Sequence, residues 1–229
     1  MIYQVKNLFV NINEKQIIND VSLDIFPGDF VVFVGKNGAG KTTLIKSMVG
    51  LQKISGGEIF FQNKPLSSWG DCLFQYVGVV LQNPDHQIFS LSVQEEIEFV
   101  LNNFNIKNKN VLDELKTFNF EKFKDVVPFL LSEGEKKKLC IISILAHSPI
   151  MLILDEPFST LDWQERTIMF RFLKTINQNR TILMTTHDLN IAKLFPRIVV
   201  LDKGKIIKDG DFLKVRPTLQ KLGLMNNDS

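Results

Sequence analysis

The order of apolar and polar positions predicts a sheet protein with helical crossovers. Ile2–Ile12 alternates loosely and predicts an edge strand, whereas Val21-Ser22-Leu23-Asp24-Ile25 alternates cleanly and predicts a second. After the turn Pro27-Gly28-Asp29, Phe30–Val34 is apolar without alternation, the mark of a strand buried on both faces. Met151–Leu154 and Thr181–Thr186 repeat that pattern, and Val77–Leu81 is a fourth short run. Helix-length segments flank the long runs, so a parallel sheet is expected. Ile198–Leu201, a Lys203-Gly204 turn and Lys205–Lys208 predict a closing hairpin. Ser92–Pro128, rich in Asn, Lys, Glu and Phe, predicts a small helical insertion, and Met225–Ser229 is expected to fray.

Composition narrows the class. The 229 residues suit one domain with a small insertion, and 45% hydrophobic with 23% charged residues is a globular balance. Nineteen Phe against two Tyr and two Trp favour dry packing surface. A net charge of +2 is too mild for a dedicated nucleic-acid footprint, and no nucleic-acid partner is expected. The basic run Lys136–Lys138 reads as the first solvated turns of a helix over Glu133–Ala146, with Leu139, Ile142, Leu145 and Ala146 facing the core. Cys72 and Cys140 lie far apart, indicating neither a disulfide framework nor a zinc knuckle. No segment has a signal peptide's layout or approaches the roughly 18 apolar residues of a membrane span. A cytoplasmic chain is expected, with any membrane crossing left to other chains.

The strongest motif is Gly35-Lys36-Asn37-Gly38-Ala39-Gly40-Lys41-Thr42, which satisfies G-x-x-x-x-G-K-[ST] between a buried strand and the helical pattern from Thr43 to Val49. Its glycines let backbone N–H groups turn inward around phosphate oxygens, and the helix N-terminus adds positive potential. Lys41 is expected on the β- and γ-phosphates and the Thr42 hydroxyl on Mg²⁺. Asp155-Glu156 ends the run from Met151 to Leu154, at the edge of a parallel sheet where ligands bind, and is expected to face this loop. Asp155 suits a magnesium ligand and Glu156 the group that orients or deprotonates the attacking water. His187 follows the strand Thr181–Thr186 and suits a γ-phosphate contact. Gln82 follows Val77–Leu81, placing an amide near Mg²⁺ and the attacking water.

Leu131-Ser132-Glu133-Gly134-Glu135 resembles the LSGGQ signature of ABC-type ATPases, and Ser159-Thr160-Leu161-Asp162 resembles their D-loop. With the phosphate loop and Asp155-Glu156, the motifs follow the family's order across nearly the whole chain. The resemblance implies an α/β P-loop NTPase with a mostly parallel core sheet and an antiparallel N-terminal β subdomain. Residues 1–82 and 130–229 would form a RecA-like core plus the β subdomain, and about 83–129 a helical subdomain. It implies ATP and Mg²⁺ as cofactors and a second ABC ATPase subunit as partner. The phosphate loop of one chain, including Asn37, Gly38, Ala39 and Thr43, would clamp ATP against Ser132, Gly134 and Asp162 of the other. Gln82–Phe89 and Ser92–Ile97 further resemble the Q-loop region of energy-coupling-factor and cobalt-type importers of vitamins or metal ions. There an ATPase pair drives a transmembrane coupling protein that carries a substrate-binding membrane subunit. Peripheral attachment to the cytoplasmic membrane face follows. Asp85, Glu95 and Glu96 would be candidate acceptors for cationic groups of the coupling protein, or simply a loop acid and a solvated helix face. Among the Phe crowding the insertion (Phe99, Phe104, Phe118, Phe120, Phe123, Phe129), an exposed minority would mark the docking groove.

Three positions depart from the family pattern. Glu133 stands where a glycine is usual and sets a carboxylate beside a bound triphosphate. Pairing with a different ATPase, this chain's signature forming the weaker half-site, is the expectation, with a second copy of this chain as the alternative. Ile12 stands where an aromatic ring stacks on adenine, so an apolar contact replaces stacking worth about 0.5–1.5 kcal/mol. Arg216–Met225 stands in place of the longer pairing extension of many such importers. Other classes stay in view: a soluble ABC ATPase of repair or translation, a non-hydrolysing nucleotide switch, and a P-loop kinase. Only 120 residues separate Gly35 from Asp155, too few for a repair enzyme's coiled coil. Translation-type members usually fuse two such domains. Glu156, Gln82 and His187 speak against the switch, and a kinase would leave the segments from Leu131 to Glu135 and Ser159 to Asp162 unexplained.

Overall fold

The computed structural model describes residues 1–178 and 180–225. In chain order the elements are β1 (Tyr3–Ile12), β2 (Lys15–Ile25), β3 (Phe30–Val34), α1 (Lys41–Met48), β4 (Gly56–Phe61), β5 (Lys64–Pro65) and β6 (Val77–Val80). They continue with α2 (Val93–Asn103), α3 (Val111–Thr117), α4 (Glu133–Leu145), β7 (Met151–Leu154), α5 (Trp163–Asn177) and β8 (Thr181–Thr186). Last come α6 (Leu189–Ala192), β9 (Arg197–Asp202), β10 (Lys205–Gly210) and α7 (Phe212–Lys221). Residues 226–229, within the stretch expected to fray, lie outside the described residues. The chain forms two compact units, Met1–Leu73 with Arg180–Ser229, and Phe74–Asn179.

The first unit carries an antiparallel sheet in the order β2-β1-β4-β5. β1 is therefore not the edge strand its pattern predicts: Tyr3 pairs with Ile25 on one side and Phe61 on the other. Its loose alternation comes from register breaks between Val5 and Leu8 and again towards Asn11, with Asn7 in the left-handed region (φ 44°). The first break moves the buried positions from Tyr3 and Val5 to Leu8 and Val10, which turns the later side chains to the other face. β4 went unpredicted because Gly56-Gly57 reads as a turn. In the same unit β3 pairs in parallel with β8 and β9, and β9 with β10 as the expected antiparallel hairpin. All residues of β3 and β8 are buried. Arg197 anchors the beginning of these strands, donating to Asp29 at 2.7 Å and in bidentate fashion to Asp209 at 3.0 and 2.7 Å. Val215 and Leu219 bury the inner face of α7.

In the second unit β6 and β7 pair in parallel, Val77 opposite Met151 through Val80 opposite Leu154. A Cβ on Gly78 would collide with the Ile144 side chain of α4, so the helix lies directly on the strand. The insertion is helical as its composition predicts. Ser92, Asn110, Ser132 and Asp162 each accept a backbone N–H at the start of a helix. Such caps contribute about 1 kcal/mol each. Phe120 is the buried centre of the insertion, 4.6 Å from Phe123 between ring centroids, while Phe118 meets Phe172 edge-on at 5.3 Å. Phe99 and Phe129 stay exposed.

Phe104 stacks on His147 at 4.1 Å, and both imidazole nitrogens are shut away from solvent. Burial pushes the His147 pKa down from 6.5 to about 4, and the nearby Lys109 ammonium pushes the same way. A depressed folded-state pKa gives stability that is complete above the unfolded value and is lost as pH falls. The melting temperature is therefore predicted to drop between pH 6.5 and about 4, and His147→Gln to flatten that part of the curve. Thermal melts of both proteins across this range check it.

Candidate functional site

The first unit builds the loop expected to cradle phosphate. β3 leads directly into Gly35, where a Cβ would collide with the Leu201 carbonyl oxygen of β9. Only glycine lets the chain pass over that strand end. Ala39 N–H donates to Lys36 O (3.0 Å) and Gly204 N–H to Ala39 O (3.0 Å), so the closing hairpin buttresses the loop. Gly40 caps α1 at φ 103°, and a Cβ there would lie 2.8 Å from Ile18 Cδ1 of β2. No side chain caps α1 and no acid lies in its first turn, which leaves the helix end suited to an anion. Gly38 opens onto free space. The buried Lys41 ammonium lies back on the loop and donates to Gly35 O (2.8 Å), with Lys36 O at 3.5 Å. Asn37 is exposed, and Thr42 and Thr43 are half-buried.

Val34 pairs with Thr186, so Gly35 and His187 leave neighbouring strands at the same level. His187 is exposed there, as its position predicts. Ile12, half-buried, ends β1 opposite Lys15, on the hairpin whose second strand backs Gly40.

The second unit gathers the acidic groups. Asp155 N–H donates to Val80 O (2.8 Å), so the acidic pair leaves β7 beside the end of β6. Asp155 and Glu156 are buried, and Glu156 has a left-handed backbone (φ 51°). Gln82, just past β6, is exposed. Its neighbour Gln87 closes the strand end, accepting from Leu81 N–H (2.7 Å) and donating to Val79 O (2.9 Å). A carboxylate, a hydroxyl and an amide oxygen are hard donors of the kind magnesium takes. The residues expected to hold the ion (Thr42, Asp155, Gln82) therefore fit it in chemistry.

Ser132 and Asp162 open α4 and α5 in capping boxes closed by Glu135 and Glu165. Sequence reasoning missed Glu165. Its carboxylate accepts from Ser132 Oγ at 3.1 Å and from Asp162 N–H at 3.3 Å, tying the signature to the D-loop. A Cβ on Gly134 would sit 2.7 Å from that same carboxylate, so the glycine gives it room. The capping-box pattern D-x-x-E at Asp162–Glu165 was the available signal.

The lysine run is not the solvated helix face it was expected to be. Lys136 and Lys137 are buried, and each of the three amines has an internal partner. Lys136 donates to Asp85 at 3.0 Å and lies 3.7 Å from Glu133. The hydrogen bond with Asp85 raises its pKa. Lys138 donates to Phe118 O at 2.7 Å, and burial lowers its pKa. Lys137 reaches Glu156 and the D-loop.

The acids of the Q-loop region also serve the chain itself. Glu96 is buried and accepts from Phe89 and Ser90 N–H at 3.3 and 3.1 Å, and Glu95 accepts from Leu91 N–H at 3.0 Å. With its backbone so tied, this loop turns Phe89 and Leu91 outward. Phe89 is edge-on to the exposed Phe99 at 4.5 Å.

A family model described as ABC transporter matches residues 18–159. The chain is 34% identical to a putative ABC transporter ATP-binding protein of Methanosarcina acetivorans over 91% of its own length and 41% of that protein's. It is 36% identical to the energy-coupling factor transporter ATP-binding protein EcfA1 of Oenococcus oeni, over 91% of this chain and 78% of the relative. It superposes with a TM-score of 0.84 and 30% identity on the structure of cbiO1 from Clostridium perfringens, part of the ABC transporter complex cbiONQ, covering 99% and 96% of the two chains. The chain belongs to the ABC transporter family, as one of its ATP-hydrolysing subunits. It has their fold, an antiparallel N-terminal sheet beside a mixed, mainly parallel core.

Proposed function

We propose that this chain is the ATP-hydrolysing subunit of an energy-coupling-factor-type importer of vitamins or metal ions. It pairs with a second, different ABC ATPase beneath a transmembrane coupling protein and a substrate-binding membrane subunit. The observation that carries this reading is the segment after β6, where Glu95 and Glu96 of α2 bond to the loop backbone while Phe89, Leu91 and, on α2, Phe99 lie open to solvent. Exposed apolar groups on a loop held by its own carboxylates suit a helix of a membrane subunit. Among the described residues no helix is long and apolar enough to cross a membrane itself. Similarity to the Oenococcus and Clostridium proteins supports the same class. The chain would act at the cytoplasmic face of the membrane, with about 83–129 as the docking subdomain.

We assign the site residues as follows. The amides of Gly35–Thr43 and the Lys41 ammonium hold the phosphates, and Ile12 lies against the base. Thr42, Asp155 and Gln82 hold magnesium, which neutralises phosphate charge. Glu156 receives the proton of the attacking water, and His187 hydrogen-bonds the γ-phosphate. Ser132, Gly134 and Asp162 address the nucleotide of the paired ATPase. Glu133 lies 3.7 Å from Lys136, whose charge offsets part of its repulsion. Glu133 and Glu165 still add negative charge at the start of α4, which supports an unequal pair.

Two measurements test the reading. Purification from membranes recovers membrane chains with the wild-type protein, whereas Phe89→Asp and Leu91→Asp lose them yet keep ATP binding; undiminished recovery contradicts the docking surface. Glu156→Gln lowers ATP turnover of the assembled complex by about 100-fold or more, the scale of a lost general base, and leaves ATP binding intact. Turnover at the wild-type rate removes Glu156 from that role.

A further inference from the structure

Lys137 has no part in the site assigned above, yet its side chain ends inside it. Only 2% of the residue is exposed, so its ammonium has given up water and must find its partners in the protein. Burial accordingly lowers its pKa, against the opposing pull of the carboxylates of Glu133, Glu156 and Glu165. Its donors converge on one short turn: the Ser159 carbonyl, the Ser159 hydroxyl at 2.9 Å, and Glu156 O and Thr160 Oγ1 each at 3.5 Å. The turn closes on itself around the same atoms. Ser159 N–H donates to Glu156 O at 3.0 Å and Ser159 Oγ to the same oxygen at 2.9 Å.

Both ends of this turn have left-handed backbones, Glu156 at φ 51° and Thr160 at φ 66°. Neither is glycine, and such conformations persist where surrounding contacts over-determine them. The Lys137 ammonium is the group that gathers the carbonyls and hydroxyls of the turn in one place. It stands on α4, five residues after Ser132, so the helix that begins at the signature also fixes the backbone that aims the Glu156 carboxylate.

We propose that Lys137 is a positioning residue for hydrolysis. It pins the 156–160 turn so that the Glu156 carboxylate is held where it can take a proton, and it couples that carboxylate to the signature helix. The inference rests on Glu156 being the group that receives the proton. Because a displacement of about 1 Å at a reacting group can cost about 100-fold in rate, losing the clamp acts on turnover and not on nucleotide binding.

The test uses the assembled complex and compares the wild type with Lys137→Met, Lys137→Arg, Ser159→Ala and Glu156→Gln in steady-state ATP hydrolysis and equilibrium ATP binding. Lys137→Met is expected to lower kcat by about 10- to 100-fold with KM and ATP affinity changed less than about threefold. Lys137→Arg, which keeps the charge and donors, recovers much of the loss. Ser159→Ala, the milder change, lowers kcat by a smaller factor in the same direction, and decides the matter if Lys137→Met does not fold. Wild-type kcat in Lys137→Met, or in Ser159→Ala where only that variant folds, overturns the proposal. So does a loss of kcat matched by equal losses of ATP affinity and melting temperature, with no recovery in Lys137→Arg. Full activity in Glu156→Gln overturns the underlying role of Glu156 instead, so the two failures are told apart.

Discussion

The strands that end at the proposed site residues are buried on both faces, and the rest of the arrangement follows. Every residue of β3, β7 and β8 is buried. A polar group inside such a strand costs roughly 1–3 kcal/mol unless it is hydrogen-bonded, so the strands are apolar apart from threonines that find partners. Thr181 accepts from Gly28 N–H, and Thr186 accepts from Asp188 N–H. Groups that must meet water and phosphate can stand only where the strands stop. Gly35, Gln82, Asp155 and His187 each lie within two residues of a strand's carboxyl end. Parallel pairing then sets the groups of one unit at about one level, Gly35 beside His187 and Asp155 beside Leu81, one residue before Gln82.

This constraint made much of the protein legible in its sequence. An uninterrupted apolar run followed by a glycine loop or by Asp-Glu is a buried strand and its end, and no long-range information is needed to see it. The places that were not legible depend on partners far along the chain. β4 begins with two glycines, and its pairing with β1 decides that it is a strand. Lys136–Lys138 reads as a solvated face until Asp85, Ser159 and Phe118 are brought to it from 51, 22 and 20 residues away. Glu165 lies 33 residues from the serine it binds. Asp85, Glu95 and Glu96 read from sequence either as acceptors for a partner or as a loop acid and a solvated helix face, and their bonds to Lys136 and to the loop backbone depend on contacts the sequence does not display.

A pattern runs through these residues. Buried or half-buried charges in the second unit hold backbone in place: Glu96 holds the loop at Phe89 and Ser90, Glu165 the start of α5, and Lys137 the turn after β7. Each ties together two segments that are separate in the chain. Buried charge is a poor source of net stability, because desolvation offsets most of the attraction, but it fixes geometry where several donors and acceptors must converge. A site that hydrolyses ATP needs that kind of support around its carboxylate.

The central claim is that the chain supplies two different surfaces, a phosphate cradle for its own nucleotide and a signature for the nucleotide of a paired ATPase. An ATP analogue with a photoreactive group on its γ-phosphate, bound to the assembled complex, marks the residues beside that phosphate. With Lys41→Ala in this chain disabling its own cradle, the segment from Leu131 to Glu135 should still be labelled, because the nucleotide it meets belongs to the partner. Loss of that label together with the chain's own ATP binding would contradict the claim.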